Sequence, residues 1–123
     1  MKLKIKKLLF LSIIIFLNSC TKNTLEINEN SNAHLITSPG MYFSPDTLIA
    51  NVGDTITFSM TATHNAVEVS QETYLNDGTE SNNGFEINYG ETKNLVLEQE
   101  QVFYYVCQPH VQLNMKGIII VLE

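Results

Sequence analysis

The chain contains no arginine, and the positive charge it does carry is lopsided: four of its seven lysines, Lys2, Lys4, Lys6 and Lys7, crowd the amino terminus. All thirteen acidic residues lie beyond that segment. A surface of this sign argues against nucleic acid and favours a basic partner. Long apolar runs are also missing. The run Leu8–Leu17 is well short of the ~20 residues a helix needs to cross a bilayer. No segment carries a convincing 3.6-residue apolar periodicity, which excludes a helical bundle. No nucleophile–base arrangement is evident, so an enzyme is not expected. Cysteine is scarce, with only Cys20 and Cys107.

What the amino terminus does have is a basic start followed by a ten-residue apolar stretch, the pattern of a secretory signal. It ends in Leu17-Asn18-Ser19-Cys20, which resembles the lipobox of bacterial lipoproteins. That resemblance implies cleavage after residue 19 and diacylation of Cys20, giving a lipid-anchored protein of the cell envelope, on the periplasmic face or the cell surface. Several acyl chains on one cysteine suffice for stable anchoring. Residues 20–38, rich in Asn, Thr, Ser and Glu, show no periodicity and read as the lipidated cysteine and a flexible tether, with an average reach on the order of 25 Å. Residues 39–123 are then one small domain. Loss of the signal would leave three lysines against thirteen acidic residues, a formal balance of −10.

If Cys20 carries lipid, Cys107 has no disulfide partner, and a lone thiol in an exported protein asks for another role. Its neighbours suggest one. Cys107-Gln108-Pro109-His110-Val111-Gln112-Leu113-Asn114-Met115 places a thiolate, an imidazole and a thioether within nine positions, and His64 lies 43 positions before the cysteine. Two His nitrogens, one Cys sulfur and a weak axial Met are the donors of a blue-copper centre, and soft sulfur ligands select copper over hard cations. Zinc prefers a closed tetrahedral set without a weak thioether. Of the remaining candidates, His34 sits in a polar stretch and is expected in solvent, while Met41 and Met60 are expected in the core. Three histidines are too few for the further clusters of a multicopper oxidase.

From Pro39 onward the pattern is β. Leu48–Val52 runs into the turn signal Gly53-Asp54, and Thr55–Met60 alternates so that Ile56, Phe58 and Met60 should face the core. Further strands are expected at Ala66–Val69, Asn94–Leu97, Val102–Val106 and Ile118–Leu122. The long segment Ser70–Lys93 should hold structure of its own, with turns at Asn76-Asp77-Gly78 and Asn82-Asn83-Gly84 and a short strand near Phe85–Asn88. Short strands at this spacing predict an all-β sandwich or barrel.

The ordered motifs Val52-Gly53-Asp54, His64-Asn65-Ala66-Val67, Tyr105-Val106-Cys107-Gln108-Pro109-His110 and Met115-Lys116-Gly117 resemble the cupredoxin family, particularly its plastocyanin and pseudoazurin members. The resemblance implies a Greek-key β-sandwich of about seven to eight strands that holds one copper ion, Cu(I)/Cu(II), and shuttles single electrons between redox proteins. Expected partners are a c-type cytochrome or a copper or haem oxidoreductase, met by a monomer. It implies His64, Cys107 and His110 as equatorial ligands, Met115 as the axial one, and Asn65 as a hydrogen-bonding brace to the cysteine loop. Pro109, Val111 and Leu113 form a candidate apolar docking rim around His110. Two positions depart from the pattern: Leu113-Asn114 stands where glycine usually precedes the axial Met, and Val106 where plastocyanins carry tyrosine. Copper storage or delivery is the alternative function, and a metal-free adhesion module a third.

Overall fold

The computed structural model describes residues 32–123. The expected signal segment, Cys20 and the tether up to residue 31 lie outside the described residues. Among the described residues nine strands follow one another: β1 (Ala33–Gly40), β2 (Tyr42–Ser44), β3 (Thr47–Asn51), β4 (Thr55–Ser59), β5 (Ala66–Val69), β6 (Ser81–Ile87), β7 (Thr92–Val96), β8 (Gln101–Val106) and β9 (Lys116–Leu122). Two short helical pieces interrupt them, α1 (Gln71–Leu75) and a 3₁₀ helix at Gln108–Leu113. The strands form two mixed sheets, β2-β1-β4-β7 and β3-β9-β8-β5-β6, packed as the expected Greek-key β-sandwich.

Alternation decides which side chains go inside. Ile56 and Phe58 on β4 are fully buried, and Met60 just beyond it nearly so. Phe103, Tyr105 and Cys107 make the matching inward row along β8. Each large apolar side chain removed from water contributes roughly 1.5–3 kcal/mol. Tyr105 sits at the centre, its ring centroid 4.8 Å from Phe43, 5.6 Å from Phe58 and 5.8 Å from Phe85. Its cross-strand partner is Gly117, where any Cβ would collide with the tyrosine ring. The Tyr105 hydroxyl has no hydrogen-bond partner among the described residues, and burial pushes its ionisation far above the ordinary phenol range.

Four expectations need correction. The tether does not extend to residue 38, because β1 starts at Ala33 and pairs in parallel with β4. Its inward positions are His34, Ile36 and Ser38, so polar residues at two of the three hid the strand's alternation. His34 is accordingly not in solvent: its side chain is 21% exposed and Nε2 donates to Asp54 Oδ2 at 2.8 Å. Met41 lies in the turn between β1 and β2 and is half exposed, whereas Phe43 takes the core position. Asn82-Asn83-Gly84 is not a turn between strands but an irregularity inside β6, with Asn83 at φ 66° and a register shift against β5. The Glu68 carboxylate pins it by accepting from Asn82 Nδ2 and the Phe85 amide, both at 2.9 Å.

Candidate metal centre

Three separated segments meet at one end of the sandwich. His64 follows β4 through a turn closed by its amide on the Thr61 carbonyl at 3.1 Å, while the Thr61 amide is held by Ser38 Oγ at 3.0 Å. Cys107 is the residue after β8, and its amide donates to the Met115 carbonyl at 3.0 Å. Pro109 suits the first turn of the 3₁₀ helix because it has no amide to satisfy there. That turn brings the His110 amide to the Cys107 carbonyl at 3.0 Å. Asn114 then takes the left-handed conformation, φ 63° and ψ 29°, a region asparagine tolerates better than most residues. The position usually given to glycine is therefore filled without losing the turn, and the Met115 amide closes back on the His110 carbonyl at 3.3 Å.

The donor atoms converge. His64 Nδ1 and His110 Nδ1 are 3.0 Å apart, and Cys107 Sγ lies 3.7 Å from the first and 3.4 Å from the second. Donors each about 2.0–2.3 Å from a common ion stand roughly 3–4 Å from one another, so this triangle has the size of a three-coordinate metal plane. Cys107 and Met115 are fully buried and His64 is 4% exposed, whereas His110 is half-buried. Burial, and then the neighbouring His110, hold the His64 imidazole below its usual range. Burial pushes the Cys107 thiol up against hydrogen bonds that work the other way. A buried His64 imidazole held toward its neutral form beside a shielded thiol suits a soft cation, which takes the place of the thiol proton.

Around the donors the loop is braced. Asn65, 3% exposed, accepts from the Gln108 amide at 2.9 Å through Oδ1 and donates through Nδ2 to Gln108 Oε1 at 3.0 Å. Gln108 had no role in the sequence reading, since nothing in its own neighbourhood marks the partner that it finds 43 residues upstream. Val111 leaves the expected docking rim. It is 2% exposed and packs with Val69, Val106, Tyr74 and Tyr104 on the outer face of the second sheet. Pro109 and Leu113 stay exposed. Beside Leu113 a groove of about 260 Å³ brings in Met41 and Tyr42, both at least half exposed.

Over residues 30–122 the sequence matches the copper binding proteins of the plastocyanin/azurin family. The chain belongs to that family. Cupredoxins of this kind are typically electron carriers, and the arrangement of His64, Cys107, His110 and Met115 fits one type 1 copper site. Among solved structures the chain is similar to the pseudoazurin of Methylobacterium extorquens AM1, with 20% identity over 73% of this chain and 75% of that one and a TM-score of 0.54. It is also similar to the amicyanin of Paracoccus versutus, with 17% identity over 74% and 82% and a TM-score of 0.54. A copper-containing nitrite reductase from Thermus scotoductus SA-01 matches at 24% identity and a TM-score of 0.53, over 75% of this chain but 23% of the enzyme. The cupredoxin fold thus serves both as a free-standing domain and as part of an enzyme. None of the curated proteins matches the chain.

Proposed function

We propose that the protein is a lipid-tethered blue copper protein that carries single electrons between redox partners in the cell envelope. The observation that carries this reading is the convergence of His64 Nδ1, His110 Nδ1 and Cys107 Sγ within 3.0–3.7 Å at the buried end of one sandwich. His64, Cys107 and His110 would hold the copper, with Met115 as a weak fourth donor. A copper ion bound there supplies a one-electron couple. The protein's part is to keep the donors fixed, exclude water and offer a route out. Fixed donors limit rearrangement when charge changes. Buried Cys107, His64 and Met115 keep solvent away, and half-buried His110 is the donor through which an electron reaches the surface.

Docking falls to the exposed side chains of Pro109 and Leu113 on the His110 loop. The acidic surface steers a basic redox protein, such as a c-type cytochrome, toward the molecule. Electron exchange with a basic cytochrome is expected to slow steeply as salt rises, and Leu113→Lys to slow it at fixed salt with the visible spectrum unchanged. Salt-independent rates in stopped-flow, with copper lost readily to a weak chelator, would instead favour copper delivery.

The anchor reading fits the direction of the chain. Asn32 is tied to the Asp54 carboxylate at the end of the sandwich where β9 finishes. The ligand loop is at the other end of β9, seven residues or about 23 Å away. Lipid on Cys20 would attach through the end of the domain opposite the ligand loop. Cys20→Ser is expected to move the protein from the membrane fraction to the soluble envelope fraction and to abolish labelling by a fatty-acid analogue. Unchanged labelling would refute lipidation at Cys20.

A further inference from the structure

The ligand loop is gripped from outside by a short segment that supplies none of the four donors. Gln108 Nε2 donates to the Thr79 carbonyl at 2.9 Å and Gln112 Nε2 to the Asp77 carbonyl at 3.2 Å. Lys116 Nζ donates to the Tyr74 carbonyl at 2.9 Å and to Asp77 Oδ1 at 2.7 Å. The same ammonium lies 4.4 Å from the Tyr74 ring centroid, and the Lys116 side chain is only 12% exposed. Val111 presses against Tyr74 and Tyr104 between these polar contacts. Positions 108, 111, 112 and 116 therefore all engage the stretch Tyr74–Thr79, which runs from the end of α1 toward β6.

That stretch is itself held in shape. Its Gly78 amide closes on the Thr73 carbonyl at 2.9 Å, the Asn76 amide on Glu72 at 3.1 Å, and Asp77 adopts φ 54°. The chain reverses there, and its carbonyls turn toward the ligand loop. Hydrogen bonds from a half-desolvated ammonium are among the stronger ones a surface loop can make.

We infer that the Tyr74–Thr79 connection is a positioning element for the metal centre, setting the shape of the loop between Cys107 and Met115 before any metal arrives. Gln112, Lys116 and Asp77 are its positioning residues. The grip needs no metal, while its consequence for copper rests on the function proposed above. Both levels can be read separately. In metal-free protein, Lys116→Met and Gln112→Ala are each expected to speed hydrogen exchange at the His110, Asn114 and Met115 amides by about tenfold, with exchange in β4 unchanged. In copper-loaded protein the same variants should release the ion to a chelator about tenfold faster, in line with the 10–100-fold effects of groups that orient ligands. Asp77→Asn, which removes the charge but keeps a hydrogen-bond acceptor and tolerates the backbone, should fall between wild type and Lys116→Met in both measurements. Loop exchange within twofold of wild type in both variants would overturn the inference, as would faster exchange with unchanged copper release. A wild-type protein that binds no copper would defeat the proposed function, and the exchange measurement would still decide whether the grip exists.

Discussion

Asp54→Ala is expected to remove about 3–5 kcal/mol of stability, seen as a fall of at least about 12 °C in Tm. The Asp54 side chain is fully buried, and its carboxylate is the knot of the end where the chain enters the sandwich. It accepts from the Asn32 amide at 2.8 Å, the Asn51 amide at 2.9 Å and His34 Nε2 at 2.8 Å. Alanine would leave two backbone donors and a ring nitrogen without their partner. β1, which reaches Ser38 and through it the Thr61 turn beneath His64, would lose its anchor. Asp54→Asn keeps an acceptor but introduces a donor toward groups that already donate, so its cost should lie between. A Tm for Asp54→Ala within 2 °C of wild type would contradict the assignment.

The same carboxylate sets the acid limit. Burial works to raise its pKa, but the hydrogen bonds from Asn51, His34 and Asn32 together hold it below the ordinary value. A group depressed on folding contributes its full stability above the unfolded value, about 3.9, and loses it as pH falls through the lower folded value. The metal-free protein should therefore weaken below about pH 4. Asp54→Asn should show a flatter acid limb over that window.

How much of this was legible in the sequence depends on where the partner lay. β4 and β8 announce themselves because their inward positions are all apolar, whereas β1 presents His34 and Ser38 to the interior and reads as coil. Asn82-Asn83-Gly84 reads as a turn because positive φ serves a bulge and a hairpin alike. The donors Cys107, His110 and Met115 fall within one loop, so their spacing could be read directly. Val111 was misplaced because the neighbours that bury it, Tyr74 and Tyr104, come from other elements. The grip on the loop was invisible for a further reason: three of its four acceptors are backbone carbonyls, which no residue type encodes.

The positions that depart from plastocyanin bear differently on function. Asn114 costs the loop nothing visible, since it occupies the left-handed region that glycine would. Val106 is fully buried against Val69 and Val111, so the residue before the copper cysteine offers no surface for a partner.

The most direct test is a titration of Thr21–Glu123 with Cu(II), followed in the visible spectrum and repeated with ascorbate and with Cys107→Ser. One equivalent should raise an intense blue or green thiolate-to-copper band that bleaches on reduction, returns on reoxidation and is wholly absent in Cys107→Ser. A folded protein that shows no such band, or one whose band survives the loss of the Cys107 sulfur, would contradict the central claim.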